Sequence, residues 1–226
     1  MNTVIITGAN RGLGLEFARQ YSKDDWNVIA TCRDLSKAGD LRALDVKIMQ
    51  LDVADPASCK AFASQLDDQK VDLLINNAGI MGDNTKTALD ADRSEWTDAF
   101  NINVLAPALL TNLLVPNLKL SDNPVGATLG SQAGTFSNMT AARNCVYAST
   151  KAAAHAVTIS LGLALKEEGI TYVSLRPGPT KTDMLPVGAM YEADDSVRKM
   201  RKVLAAVTPE NAGKFMDRTG EEFPLS

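Results

Sequence analysis

Short apolar runs rich in β-branched residues alternate along this chain with longer stretches whose apolar positions recur at helical spacing. Thr3–Ile6, Asn27–Cys32, 46–51, 71–75, Val125–Leu129 and 170–175 read as strands buried on both faces. Helical periodicity predicts helices over 15–21, 56–66, 94–117, 144–164 and 196–207, and residues 214–216 close the chain behind the last of them. Strands separated by helices pair in parallel, through right-handed crossovers. The pattern therefore predicts an α/β fold made of one domain over residues 1–226, a doubly wound parallel sheet flanked by helices on both faces. No internal linker, repeat or low-complexity tract interrupts it.

Ligands of such sheets bind beyond the carboxyl ends of the strands, so the residues that follow each strand carry the chemistry. After the first strand comes TGANRGLG, in which Gly8, Gly12 and Gly14 are spaced by Asn10, Arg11 and Leu13. The glycines let the backbone approach a pyrophosphate, while the following helix presents free N–H groups and the positive end of its dipole. Strand, glycine turn and helix together are the context that a dinucleotide-binding Rossmann fold requires. An NAD site would place an acidic residue at the end of the second strand; here Cys32 is followed by Arg33, and Arg11 lies in the glycine turn. Both cations favour a 2′-phosphate, hence NADPH (NADP+) over NADH, although Asp34 tempers the local field and Arg33 could simply cap a loop. Asp52 and Val53 follow the third strand, and Asn76, Asn77, Ala78 and Gly79 follow the fourth, which puts both groups on the ligand side.

Composition narrows the classes. With 226 residues, 45% of them hydrophobic, the chain can bury a proper core. A net charge of -4 and a pI near 5.1 argue against a basic face for nucleic acid or anionic lipid. Three widely spaced cysteines suit a reduced compartment better than a disulfide framework, and one histidine without paired cysteines gives no expected metal site. The chain opens directly into TVIITG, and no apolar run reads as long enough to span a membrane, so the expectation is a soluble, cytoplasmic protein.

Within the 144–164 helix, Tyr147 and Lys151 stand four residues apart and project from one face. A phenol titrates near pH 10, and a neighbouring ammonium favours the phenolate, drawing it towards the range of a general acid or base. The spacing alone also describes many solvated helix faces. Asn103, inside an apolar helix, either bonds locally to backbone or marks a site. His155, one turn beyond Lys151, reads as a packing or surface residue rather than a rival acid.

TGANRGLG, Asp52-Val53, NNAG, Asn103 in FNIN, Ser131 in GSQAG, YASTK and RPGPTKT occur in one order over nearly the whole chain. That series resembles the short-chain dehydrogenase/reductase family, and the ending NAGKFMDRTGEEFPL resembles its C-factor and sniffer-like carbonyl reductase branch. The resemblance implies Tyr147 as the acid that protonates a carbonyl oxygen and Ser131 as the group that holds and polarises it. It implies that Lys151 lowers the Tyr147 pKa and bonds the nicotinamide ribose, and that Asn103 supports a water chain leading to Lys151. It also implies a cofactor contact from Pro177, Gly178, Thr180 and Thr182. Tyr, Ser and Lys can do this work without a metal, because the cofactor carries the hydride.

Two features depart from the family pattern. Ser131 follows Gly130 rather than a second serine, and the interval from Ser131 to Tyr147 is long, which implies an insertion around 135–144 and leaves Ser137 as the fallback serine. The chain is also short after the Pro-Gly motif, so 184–191 is the expected substrate cover, its apolar members suiting a hydrophobic carbonyl compound. The expected activity is NADPH-dependent reduction of a ketone or aldehyde, or the reverse. The alternative is a cofactor-binding signalling or sensor protein of C-factor type with little turnover. Finally, 152–165 carries no formal charge apart from His155, and 104–118 has none; with small residues at 152, 153, 154, 156 and 162, this predicts a homodimer or homotetramer joined through a four-helix contact. A monomer with polar loops over that face is the alternative.

Overall fold

The computed structural model describes residues 1–185 and 187–226. Its strands are β1 (Thr3–Ile6), β2 (Asn27–Cys32), β3 (Lys47–Gln50), β4 (Leu73–Asn76), β5 (Val125–Leu129), β6 (Thr171–Arg176) and β7 (Phe215–Asp217). Its main helices are α1 (Gly12–Lys23), α2 (Pro56–Ser64), α3 (Arg93–Phe100), α4 (Ala106–Leu118), α5 (Cys145–Glu167) and α6 (Ala193–Ala206). Among the described residues, all seven strands pair in parallel in the order β3-β2-β1-β4-β5-β6-β7. This is the doubly wound Rossmann-type fold that the alternation of elements implies. The chain winds one way from β1 and the other way from β4, so the switch point lies between their carboxyl ends.

Alternating side chains divide the interior in two. Val4 and Ile6 enter the core covered by α1 and α6, where Phe17, Tyr21, Val197 and Met200 meet them, whereas Ile5 enters the core covered by α2, α4 and α5, with Phe62, Leu110, Leu114 and Leu165. Burial from both sides is why the strands read as unbroken apolar runs rather than as alternation.

Several boundaries differ from the sequence reading, and two of the differences matter. β4 ends one residue later than expected, which draws Asn76 into the sheet. The helix expected over 94–117 is α3 and α4 joined by a π-helical turn, Asn101–Leu105, closed by Ala106 N–H bonding to Asn101 O, and Pro107, which has no N–H to give, follows directly at this irregularity. Taken as one, Arg93–Leu118 is long and apolar enough to cross a membrane by length and composition, contrary to the expectation that no run reaches that length. Here Leu110, Leu114 and Leu118 of that helix are sealed against the sheet. β7 was not anticipated: three residues are too few to show a period, although Phe215, Met216 and Asp217 are all buried.

Candidate active site

A cleft of about 900 Å³ lies over the switch point. Its wall is built first by two loops, the glycine turn after β1 and the Asn77–Gly79 stretch after β4, and these are stitched together by side chains. The buried Thr7 hydroxyl oxygen accepts from the N–H groups of Asn77 and Ala78 at 3.0 and 2.9 Å, while Asn77 Nδ2 donates to the carbonyls of Thr7 and Gly8 at 2.8 and 3.0 Å. Gly8 has φ 62°, and a Cβ there would lie 3.0 Å from Ala78 Cα, so glycine is needed for both backbone and space. Thr7 was not among the expected site residues; its position directly before Gly8 was the available signal.

Asn10, Arg11, Gly12 and Leu13 line the cleft. Gly14 does not: it faces the Gly8 carbonyl, and a Cβ there would fall 2.5 Å from Asn77 Nδ2. It serves helix-on-strand packing instead of ligand contact. The first turn of α1 has no side-chain cap and no acidic residue. Its unpaired N–H groups and dipole therefore suit an anion such as a pyrophosphate.

Farther along, Leu51, Asp52 and Val53 form one side of the cleft, and the exposed Arg33 and Lys37 flank its end. Asp34 also lines this end, but its Oδ1 accepts from the Ser36 N–H at 2.9 Å and the Ser36 hydroxyl at 2.6 Å. Those bonds hold its carboxyl below the usual range and tie the acid into its own turn. Lys37, which the sequence reading passed over, stands on the short helical turn Leu35–Lys37. Arg11 pairs with Asp183 at 3.4 Å, both exposed, across the mouth of the cleft.

Four residues expected to touch a cofactor are placed elsewhere or only beside it. Asn76 is buried, donating through Nδ2 to Thr111 Oγ1 and the Tyr172 hydroxyl, each at 3.0 Å, because the longer β4 turns it into the core. Gly14 is accounted for above. Gly178 has φ 73° and packs under the Tyr191 ring, and Thr180 is buried, its Oγ1 bonded to the carbonyls of Pro177 and Gly178 and to Ser196. Both shape the turn that delivers Pro177, Thr182, Asp183 and Met184 to the cleft. Asn103, 1% exposed, is likewise absent from the lining: Oδ1 accepts from Ile80 N–H at 2.9 Å, and Nδ2 donates to Ile80 O at 2.8 Å and Thr150 Oγ1 at 3.0 Å. Both amide protons are committed, so its side chain braces the Gly79–Ile80 loop against α5. In the 184–191 stretch, Met184 reaches the cleft, Val187 and Met190 are exposed, and Pro186 lies outside the described residues.

On the floor stand Tyr147, half-buried, and Lys151, buried on the next turn of α5. Burial pushes the Tyr147 phenol up, against a hydrogen bond with Ser131 that favours the phenolate. The expectation that Lys151 draws this phenol down is therefore not met. Its ammonium lies 5.6 Å from the ring centroid, donates to Leu129 O at 2.8 Å, and is itself pushed down to about 8 by burial. Ser131 is the serine whose side chain acts on Tyr147, although Leu129 and Gly130 just before it, and not Ser131 itself, line the cleft; its Oγ accepts from Ala133 N–H at 3.2 Å, leaving its own proton to donate. Ser137 is exposed on the 3-10 turn Phe136–Asn138, which belongs to the 135–144 loop.

The family described as short chain dehydrogenase matches residues 2–189. Among curated relatives, the C-signal of Myxococcus xanthus is 36% identical over 166 residues, covering 73% of this chain and 99% of that protein. Human retinol dehydrogenase 13 is 33% identical over 80% of this chain, which spans 60% of that protein's length. Among solved structures, NADPH-bound carbonyl reductase from chicken fatty liver superposes with a TM-score of 0.92 at 30% identity, covering 99% of this chain and 98% of that one. A family match of that extent, laid on a cleft built at the switch point of the sheet, means that the chain belongs to the short chain dehydrogenases.

Proposed function

We propose that this oxidoreductase reduces a carbonyl compound with NADPH, or runs the reverse reaction, with Tyr147 as general acid or base. The observation that carries the reading is that Tyr147 and Lys151 line a dinucleotide-sized cleft, with Ser131 following directly on Gly130 of its wall and acting on the Tyr147 phenol. The likeness to an NADPH-bound carbonyl reductase supports it. Gly12, Leu13 and the α1 N-terminus would hold the pyrophosphate, and Arg33 and Lys37 a 2′-phosphate; NADPH, when bound, supplies the hydride. Ser131 donates a hydrogen bond to the substrate oxygen and orients it, Tyr147 transfers the phenolic proton as charge develops there, and Lys151, on the next turn of the same helix, would bond the nicotinamide ribose. Asn103 keeps the cleft wall in place through Ile80. A screen of NADPH oxidation across aldehydes, quinones, ketosteroids and diketones tests the reading. The C-signal likeness favours a second one, a cofactor-binding signalling protein; tight NADPH binding with no turnover of any of these carbonyls would select it.

Arg33→Asp is expected to raise KM for NADPH and shift preference towards NADH, since it removes a cation from the 2′-phosphate end and adds an anion. Equal wild-type KM values for the two cofactors would contradict this assignment.

Lys151→Met separates function from stability. A lysine that titrates near 8 when folded and near 10.4 when unfolded costs stability by roughly 3 kcal/mol below pH 8, a cost relieved as pH rises from 8 to 10.4. Losing the Leu129 bond offsets part of that gain. Lys151→Met is therefore expected to melt no lower than wild type at pH 7 while its turnover collapses; a melting point well below wild type would show the charge to be stabilising.

Assembly follows from exposed apolar side chains: Leu105 and Leu109 from the α4 side, Ile159 and Leu163 from α5, the last 60% exposed. We infer a homodimer through these helices, which could double to a tetramer. Gly162, expected to help a partner helix approach, instead faces inward against the Gly213 backbone. Sedimentation at micromolar concentration should show at least twice the 24.2 kDa chain mass; a single monomeric species, with or without NADPH, refutes it.

A further inference from the structure

His155 is the chain's one histidine, and it is neither idle nor exposed. It lies one turn beyond Lys151 and two beyond Tyr147 on the same face of α5, and is 3% exposed. Its Nε2 is 3.0 Å from the Ser131 backbone carbonyl, and its Nδ1 is 3.1 Å from Ser174 Oγ on β6. The Phe215 ring of β7 packs on it, with centroids 4.0 Å apart. Gly130 leaves the room this needs: a Cβ there would lie 2.8 Å from His155 Cε1.

A carbonyl oxygen can only accept, so Nε2 carries the proton and donates it; Nδ1 then accepts from the Ser174 hydroxyl. In a neutral ring both bonds form together only in that one tautomer. The surroundings keep it neutral, since burial, joined by the nearby Lys151 charge, pushes His155 down to about 4 against the opposing pull of the Ser131 carbonyl.

We propose that His155 is a positioning residue for Ser131. Ser131 leaves the end of β5, whereas Tyr147 rides on α5, and the two must address one substrate oxygen. The Nε2–H bond ties the serine backbone to the same rigid helix that carries the tyrosine, so the two groups keep a common geometry. This rests on the reading that Ser131 acts on a carbonyl.

The test uses His155→Gln, His155→Asn and His155→Phe, each alone and combined with Ser131→Ala. The probe is NADPH-dependent reduction of phenanthrenequinone, with NADPH binding and melting point measured for every variant. Gln can extend an N–H to the place of Nε2; Asn reaches only as far as Nδ1; Phe keeps the packing on Phe215 and donates nothing. His155→Phe and His155→Asn are expected to lower kcat by about 10- to 100-fold, the size of effect that misplacement of a reacting group produces. KM for NADPH should hold, Gln should recover most of the loss, and in the Ser131→Ala background His155→Phe should cost nothing further. If Phe folds poorly, the contrast between Asn and Gln carries the test. Wild-type kcat in Phe, equal losses in Asn and Gln, or additive losses in the Ser131→Ala background overturn the inference alone. Undiminished kcat in Ser131→Ala overturns the Ser131 reading and the inference with it. Independently of turnover, 15N NMR of this one imidazole should show a neutral ring protonated at Nε2 at pH 7; a proton on Nδ1 overturns the proposal.

Discussion

Tyr147→Phe is expected to reduce kcat for carbonyl reduction by about 100- to 10,000-fold, the usual worth of general acid catalysis, while NADPH binding changes little. The ring that Lys151 faces at 5.6 Å remains, so the substitution removes only the hydroxyl. The direction of the phenol's shift sharpens the expectation. Burial raises Tyr147 above its ordinary value near 10, so the group is protonated throughout the neutral range and has a proton to give in reduction. Oxidation of an alcohol needs the phenolate, so its rate should climb with pH across the alkaline range, where the reductive rate holds until the phenol titrates. The phenylalanine variant should lose both dependences. Turnover equal to wild type in that variant, with a verified substrate, would remove Tyr147 from the chemistry.

The sheet was readable because both faces of the inner strands are covered, which makes them continuous apolar runs, and because the helices between them keep a helical period. β7 escaped because a three-residue strand has no period to detect. Around the site, spacing identified what is local: the glycine turn and the Tyr147 and Lys151 pair need only a strand end or a helix face. What it could not identify was whether a residue after a strand faces the ligand or the core. A shift of one position in β4 turned Asn76 inward to Tyr172 while leaving Asn77 to brace the glycine turn. Likewise, a phenol beside a lysine suggests a depressed pKa only if the ammonium is close and charged. Here the Lys151 ammonium bonds to Leu129 O and lies 5.6 Å from the ring centroid, so desolvation dominates Tyr147. His155 looked like packing because its partners, Ser131 O and Ser174, are 24 and 19 residues away along the chain.

Gly134→Ala should lower kcat by about 100-fold without weakening NADPH binding, because a displacement of roughly 1 Å at a reacting group has that cost. Gly134 ends the 3-10 turn Gln132–Gly134 that starts at Ser131, and it presses directly on α5. A Cβ there would lie 2.5 Å from the Lys151 carbonyl carbon, 2.6 Å from Ala152 N and 2.8 Å from Lys151 Cβ. Two of those atoms are backbone in a 23-residue helix, anchored by buried Val146, Ala154 and Leu165, so the helix cannot give way. Carbon atoms pack comfortably at about 3.5 to 4.0 Å, so the turn must move by about 1 Å, and Ser131, whose Oγ is bonded to Ala133 N–H within it, must move too. Overpacking of this kind also costs about 1 to 3 kcal/mol of stability, which alone could lower activity. Gly162→Ala separates the two effects. Its Cβ would strike the Gly213 backbone, with Gly213 Cα at 2.5 Å, on the same face of α5 but three turns farther along the helix from the Lys151 and Ala152 atoms that Gly134 presses on. Both variants should melt at lower temperature, but measured well below melting, only Gly134→Ala should be slow. Equal losses of kcat in the two would mean that stability, and not the placement of Ser131, sets the rate.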